Sequence, residues 1–387
     1  MTRVAPFLFA LLLSTLPGWA FDTAAKSAIV LDVRTNQTLM EKNADMAQPP
    51  ASMSKLMTLN MVFEALDDGR LTLDRPLPVS AHAASFGGST MFLQEGDRPT
   101  VEDLIRGVIV LSGNDASVAL GEALAGSEPA FAQQMTIRAQ ELGMVSSTFA
   151  NASGWPAAGH RMSMRDLAML GKRLITEFPQ YYGYFAETEF QYEDSPVANR
   201  FNRNPLLKLN IGADGLKTGH TQEAGYGLVG SAIQNGRRIV FVFSGLDSEA
   251  QRAQEAERIT NWAFNQFVER QLAEEGVILT QAEVWMGEAA SVGMATTKDV
   301  TALIPVLGRD GVKAKINYVG PLTAPIEAGD EVAQLIVTVP GFDDVSHPLV
   351  ATETVPAGGF VVRVRTAATV LFRQLTGQLQ TQAETLF

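Results

Sequence analysis

The apolar and polar positions divide the chain into stretches of different period. An unbroken apolar run, Phe7–Leu13, follows a single cation at Arg3. It is too short to span a bilayer. Pro17-Gly18-Trp19-Ala20 puts small residues behind it, the pattern of an export signal (residues 1–20) cut after Ala20. An uncleaved N-terminal anchor is the other reading. Ser27–Arg34 and Gln37–Lys42 then read as a hairpin around Thr35-Asn36. Pro49-Pro50-Ala51 leads into a helix from about Ser52, with an apolar stripe at Leu56, Leu59, Phe63 and Leu66 and a stop at Gly69. Thr100-Val101-Glu102-Asp103 reads as a second helix start. The helix runs to Leu111, is interrupted by Ser112-Gly113-Asn114, and is followed by another over Asp115–Leu124. Residues 130–175 are mostly helical, with a loop over Asn151–Gly159.

Strands follow at Gly215–Thr218, Gly225–Ile233 and Arg237–Ser244, with Asn235-Gly236 as the tight-turn signal between the last two. A long helix covers Ser248–Phe267. Five strands with helices between and after them predict an α+β domain around an antiparallel sheet, residues 21–272. Val277–Val364 changes to short alternating runs rich in Val, Thr, Gly and Pro, which predict a small all-β sandwich, residues 276–364. Over 365–387, Ala368, Leu371, Leu375, Leu379, Ala383 and Leu386 return to helical spacing, with Arg363, Arg365 and Arg373 near the start. Two readings stand: an amphipathic helix lying on a membrane surface, or a tail packed on the protein or frayed. No transmembrane span follows the signal.

Composition narrows the chemistry. The net charge of −12 removes any general attraction for nucleic acid. There is no cysteine, so a thiol nucleophile and a cysteine metal site are excluded. The four histidines, His82, His160, His220 and His347, form no H-E-x-x-H pair, which argues against a zinc peptidase. No metal and no cofactor are expected.

What remains is a serine site. Ser52-Met53-Ser54-Lys55, Ser112-Gly113-Asn114 and Lys217-Thr218-Gly219 stand in that order. A serine hydroxyl needs a nearby base, and helical S-x-x-K spacing brings Lys55 to the face of Ser52. The amine acts as a base only when neutral. Burial and a second cation would lower its pKa, and Lys217 is a candidate for that charge. Alone, S-x-x-K is weak and Ser52 could be a simple N-cap. The ordered set is stronger, since S-x-x-K, S-D-N and K-T-G mark class A β-lactamases and penicillin-binding proteins.

The surrounding residues extend the match. Pro50–Thr58, Met91-Phe92-Leu93, Ser112–Ala116 and Asp214–Thr221 with Ala224-Gly225-Tyr226 resemble the serine-type D-Ala-D-Ala carboxypeptidases, low-molecular-mass penicillin-binding proteins with a C-terminal β domain. The resemblance runs from about Ala24 to the end. It implies a β-lactamase/transpeptidase-like catalytic domain. It also implies a periplasmic enzyme, peripheral on the outer face of the inner membrane through the C-terminal helix. That enzyme trims the terminal D-alanine of peptidoglycan stem peptides and is inhibited by β-lactams.

Residue by residue, the resemblance makes Ser52 the nucleophile, Lys55 its base and Ser112 a relay to the leaving group. Asn114 binds the substrate's peptide, Lys217 supplies positive charge, and Thr218 of the K-T-G motif, beside Gly219, meets the terminal carboxylate. The N–H groups of Ser52 and His220 hold the oxyanion. Arg203 and Arg252 match family arginines, for carboxylate binding or for surface ion pairs. Arg161 stands where a histidine or an aromatic is expected, in a loop that borders the site in relatives. A D,D-endopeptidase shares these motifs. No E-x-x-L-N stands between the second and third motifs, which leaves at most slow β-lactamase turnover. A catalytically silent wall-binding module would have lost Ser52, Lys55 or Lys217, and all are present.

Overall fold

The computed structural model describes residues 21–193, 200–306 and 311–360, together with Val364, Ala368 and Ala383–Thr385. The expected export signal lies outside the described residues. β1 (Ser27–Asp32) and β2 (Thr38–Lys42) form the expected hairpin. Asp32 shapes its turn, Oδ1 accepting from the N–H of Arg34 at 3.1 Å and of Thr35 at 2.9 Å. β3 (Ala213–Thr221), β4 (Gly225–Gln234) and β5 (Arg237–Leu246) complete a five-stranded antiparallel sheet ordered β2-β1-β5-β4-β3. Asn235 (φ 50) and Gly236 (φ 78) make the tight turn between β4 and β5, as that dipeptide demands.

The order puts β5 at the centre and leaves β3 as a free edge. Both faces of the sheet are covered. Val240 and Val242 pack into one apolar cluster, while Ile239, Phe241 and Phe243 pack into the other. This double burial is why β5 reads as a nearly continuous apolar run rather than an alternation.

One face carries α1 (Lys55–Asp67), α2 (Ala81–Ala84), α3 (Val101–Arg106), α4 (Asn114–Ala125), α5 (Glu128–Glu141), α6 (Met164–Thr176) and α7 (Pro179–Tyr182). α1 touches α4, α5 and α6, so it is buried nearly all round. Its Leu56, Leu59 and Phe63 are fully buried, each worth about 1.5–3 kcal/mol. The other face is covered by α8 (Glu249–Asn265), whose first turn is capped by Ser248 Oγ accepting from Gln251 N at 3.1 Å.

The all-β part contains β6 (Phe267–Ala273), β7 (Ile278–Trp285), β8 (Ser291–Thr296), β9 (Val300–Pro305), β10 (Lys313–Asn317), β11 (Leu322–Thr323), β12 (Glu331–Thr338), β13 (Val345–Ala351) and β14 (Ala383–Thr385). Seven strands form one sheet, β11-β7-β8-β13-β12-β10-β14, and β6 and β9 form a separate ribbon. Ala302 and Ile304 of the ribbon share a core with Ala333, Leu335 and Val337 of β12, so the two layers make a sandwich. On β12 buried and open positions alternate, the pattern the sequence showed here.

Two expectations change. Among the described residues β6 pairs only with β9, so its backbone joins the β domain, while Phe267 itself packs in the apolar cluster beneath α8. The residues of β6 continue directly from α8, without the Gly/Pro signal that would have marked a boundary. The amphipathic helix expected over 365–387 lies outside the described residues except at Ala368 and Ala383–Thr385. Ala368 is helical, but Ala383–Thr385 form β14 on the edge of β10 (Lys315↔Thr385, Asn317↔Ala383). An edge strand offers a row of backbone partners, and a short extended segment takes them against its own helical period.

The domains meet through a specific contact. Gln37 Nε2 donates to Leu303 O at 3.2 Å, and Leu303 N donates back to Gln37 Oε1 at 3.3 Å. Arg34 pairs with Glu269 beside it.

Candidate active site

Ser52 sits in a tight 3₁₀ turn, Ala51–Ser54, immediately before α1. The turn is forced by Ala51, which holds a positive φ of 50. Lys55 opens α1 with no exposed surface, and its Nζ lies 3.0 Å from Ser52 Oγ. The same Nζ donates to Asn114 Oδ1 at 2.8 Å and to the Ser153 carbonyl. A neutral amine has two hydrogens and one lone pair. With the hydrogens on Asn114 and Ser153, the lone pair is left for the Ser52 hydroxyl. Burial, and next the charge of Arg203, lower the Lys55 pKa to about 7, while Asp115 pulls it partly back.

Each acceptor has its own support. Gly154 takes φ +78, and a Cβ there would stand 2.0 Å from Ala51 O, so only glycine lets this loop seat on the Ser52 turn. Asn151 Oδ1 accepts from Ser153 N at 3.2 Å and Gly154 N at 2.8 Å, which fixes the loop and the Ser153 carbonyl. Asn114 begins α4, and its Nδ2 donates to Gly87 O at 2.9 Å. Its carboxamide is thus tethered at both ends, and one Nδ2 hydrogen remains for a ligand. Asp115 is buried and accepts from the N–H groups of Met91, Leu93 and Ala116, which pins residues 91–93 beside the site. Burial raises its pKa.

Ser112 is delivered by a π-helical turn, Gly107–Leu111, that ends with Ser112 at φ 60, ψ 35. A left-handed conformation costs a non-glycine residue roughly 1–2 kcal/mol, and here it turns the buried Ser112 into the cleft. Edge strand β3 supplies Lys217, Thr218, Gly219 and His220. A Cβ on Gly219 would lie 3.0 Å from Pro50 O, so the glycine permits β3 to approach the Ser52 turn. His220 is exposed and stacks on Tyr226 with ring centroids 3.9 Å apart, which accounts for its side chain without a chemical role.

Arg203 contributes positive charge beside the two lysines. Lys217 is buried, and its pKa is lowered well below the ordinary value, first by burial and then by Arg203, Lys55 and Arg252. Next to burial, the charge that lowers Lys55 is that of Arg203, and Lys217 and Lys55 also repel one another. Arg203 Nη1 donates to Ser89 Oγ at 2.8 Å and its Nη2 to Leu111 O at 2.6 Å. Arg252 Nη2 donates to Glu249 Oε1 at 2.7 Å and to Arg203 O at 3.4 Å, while its Nε is buried without a partner.

The cleft has two arms that share Ser52, Ser89 and His220. A basic arm of ≈ 260 Å³ is lined by Ser112, Arg203, Thr218, Gly219 and Arg252. A longer arm of ≈ 660 Å³ runs past Asn114, Trp155, Thr221 and Glu223. A separate cavity of ≈ 470 Å³, between β1–β2 and α6, holds none of the motif residues. All ten residues expected from the sequence gather around the two arms or directly behind them. The sequence missed Ser153 and Gly87, which act through backbone carbonyls and so leave no side-chain signal, and Ser89, which holds Arg203.

A buried lysine aimed at a serine, beside a serine on a strained turn and a K-T-G edge strand, is an acyl-transfer arrangement. Comparison with known proteins gives it a family. The family described as D-alanyl-D-alanine carboxypeptidase matches residues 15–248. The chain belongs to this carboxypeptidase family. Residues 267–357 match a second family, the C-terminal domain of penicillin-binding protein 5.

Among relatives, D-alanyl-D-alanine carboxypeptidase DacC of Escherichia coli (strain K12) is 35% identical over 362 residues, covering 91% of this chain and 90% of that one. DacF of Bacillus subtilis (strain 168) is 33% identical over 347 residues, 87% of each. The structure of penicillin binding protein 5 from Haemophilus influenzae superposes with a TM-score of 0.78 at 31% identity, over 87% of this chain and 98% of that one. Penicillin-Binding Protein D2 from Listeria monocytogenes, solved in an ampicillin-bound form, matches with a TM-score of 0.57 at 31% identity. It covers 62% of this chain and 98% of its own. The protein is accordingly a serine-type D-Ala-D-Ala carboxypeptidase, a hydrolase with a helix-and-sheet catalytic domain and an all-β domain behind it.

Proposed function

We propose that the carboxypeptidase reaction runs through an acyl-enzyme on Ser52, with peptidoglycan stem peptides ending in D-Ala-D-Ala as substrates. The observation that carries this is Lys55: buried, lowered to about 7, and 3.0 Å from Ser52 Oγ. Neutral Lys55 takes the Ser52 proton as the oxygen attacks the carbonyl of the penultimate residue. The oxyanion is held by the N–H groups of Ser52 and His220, the latter on the free edge of β3. The proton passes through Ser112 to the leaving amine, and D-alanine departs. Water, activated by the same lysine, then attacks the ester and restores Ser52. Asn114 positions Lys55 and offers its remaining hydrogen to the substrate's peptide.

The basic arm receives the terminal carboxylate at Thr218 with Arg203 and Arg252. Two guanidinium groups, Arg203 and Arg252, line so small a space and favour a free carboxylate over a continuing chain, hence carboxypeptidase over endopeptidase action. β-Lactams present the same carbonyl and carboxylate and acylate Ser52. The first twenty residues export the enzyme to the periplasm. The amphipathic tail would hold it at the outer face of the inner membrane; no helix among the described residues is long and apolar enough to cross a membrane.

Labelling with a fluorescent penicillin tests the assignment. The unaltered protein labels, and Ser52→Ala and Lys55→Ala do not. Labelling of Ser52→Ala at the normal rate would overturn it.

A further inference from the structure

Lys55 is only as dry as the loop that covers it. That loop, Asn151–Trp155, is tied up largely within itself. The N–H groups of Ser153 and Gly154 turn back onto Asn151 Oδ1, and that of Trp155 onto Ser153 Oγ at 3.3 Å. Ala152 instead reaches out in two directions. Its carbonyl accepts from Thr58 Oγ1 of α1 at 2.7 Å, and its N–H donates to Glu128 Oε1 of α5 at 3.0 Å. The next carbonyl along, that of Ser153, is the one that accepts from Lys55 Nζ.

Glu128 is the first residue of α5, behind the cap Ser127, where a carboxylate suits the helix dipole. The dipole alone would leave it in water. Instead it is 6% exposed, and both of its oxygens are engaged. Oε1 holds the Ala152 N–H, and Oε2 lies 2.8 Å from Nε2 of His82 on α2. His82 is exposed and packs edge-on against Phe86, with ring centroids 5.2 Å apart, so it braces the carboxylate from the surface side. A carboxylate holds a backbone N–H more strongly than a neutral acceptor does, and a buried N–H left without its acceptor is costly.

We infer that Glu128 is a positioning residue for the acyl transfer: through Ala152 it seats the loop that gives Lys55 one of its acceptors and shuts water away from the amine. This rests on the Proposed function, which makes Lys55 the base. Burial is the largest influence on Lys55, ahead of the charge of Arg203, while Asp115 acts in the opposite sense. Lys217 and His160 face it too, and burial holds both below their ordinary values. None of these groups lies in the loop or on α5. Loosening the loop therefore acts first on burial: water reaches Nζ, and the pKa of Lys55 climbs from about 7 toward 10.5.

The test is the pH dependence of acylation by a fluorescent penicillin. Glu128→Met fills much the same space without an acceptor, and Glu128→Gln keeps the acceptor. In Glu128→Met the rate profile should move about one unit to higher pH, so that labelling falls about five- to sixfold at pH 7 and returns nearly to normal by about pH 9.5. Glu128→Gln should restore the profile of the unaltered protein. The displacement should persist when the comparison is repeated with His82→Gln added to each protein, which removes the ionisable partner of Glu128 from the reading. Should Glu128→Met not fold, Thr58→Val, which frees the Ala152 carbonyl from α1, carries the same expectation. Unchanged labelling, a loss of equal size at every pH, or a profile displaced as far in Glu128→Gln would overturn the inference. A flat profile in the unaltered protein would instead strike the Proposed function.

Discussion

Lys55 and Ser52 set the pH behaviour. Only neutral Lys55 is a base, and its pKa is about 7, so acylation by a β-lactam should fall as pH drops below 7 and level off above it. A rate independent of pH between 5 and 9 would contradict this. The same shift acts on stability. Between about 7 and the ordinary lysine value of 10.5 the unfolded chain binds a proton that the folded chain does not. Stability should therefore rise with pH across that window, and Lys217 adds in the same direction. Urea unfolding at several pH values reads it, and Lys55→Met should lose part of the rise. The motif residues were legible because S-x-x-K spacing alone puts Ser52 and Lys55 on one face. The origin of the lysine's depression was not. It depends on Arg203, far away in sequence, and on burial by the Asn151–Trp155 loop, and neither shows as a pattern.

At the scale of elements, the site is a junction of turns held by single residues. Gly154→Ala would put a Cβ against Ala51 O at a φ of +78. The expected cost is about 1–3 kcal/mol in stability, together with slowed acylation, because the displaced turn carries Ser52. Unchanged melting and labelling would show that the loop does not constrain the nucleophile. Asp115→Ala leaves the N–H groups of Met91 and Leu93 without their acceptor and should cost roughly 1–3 kcal/mol by urea unfolding. Helices and strands were largely readable from period. β5 was legible as a strand although it is buried on both faces and does not alternate. The break at Ser112 was legible too, but not the left-handed turn of a non-glycine residue that makes it. The strand β6 was not, because it follows α8 directly and shows its allegiance only through β9.

Across the whole molecule, chemistry and support are separated. No described residue of the β domain lines either arm of the cleft, and the ampicillin-bound Listeria structure covers 62% of this chain. A protein ending at Gln266 should therefore still be acylated by penicillin. It should melt earlier, since Phe267 and Leu303 leave an apolar cluster that they share with β1, β5 and α8. The most direct test of the account is mass spectrometry of pentapeptide-bearing muropeptides incubated with the purified protein from Phe21 onward, beside its Ser52→Ala variant. The account predicts loss of one alanine per stem, with the unaltered serine only. Cross-linked dimers falling to monomers while pentapeptides stay intact, or alanine loss that persists in Ser52→Ala, would contradict it.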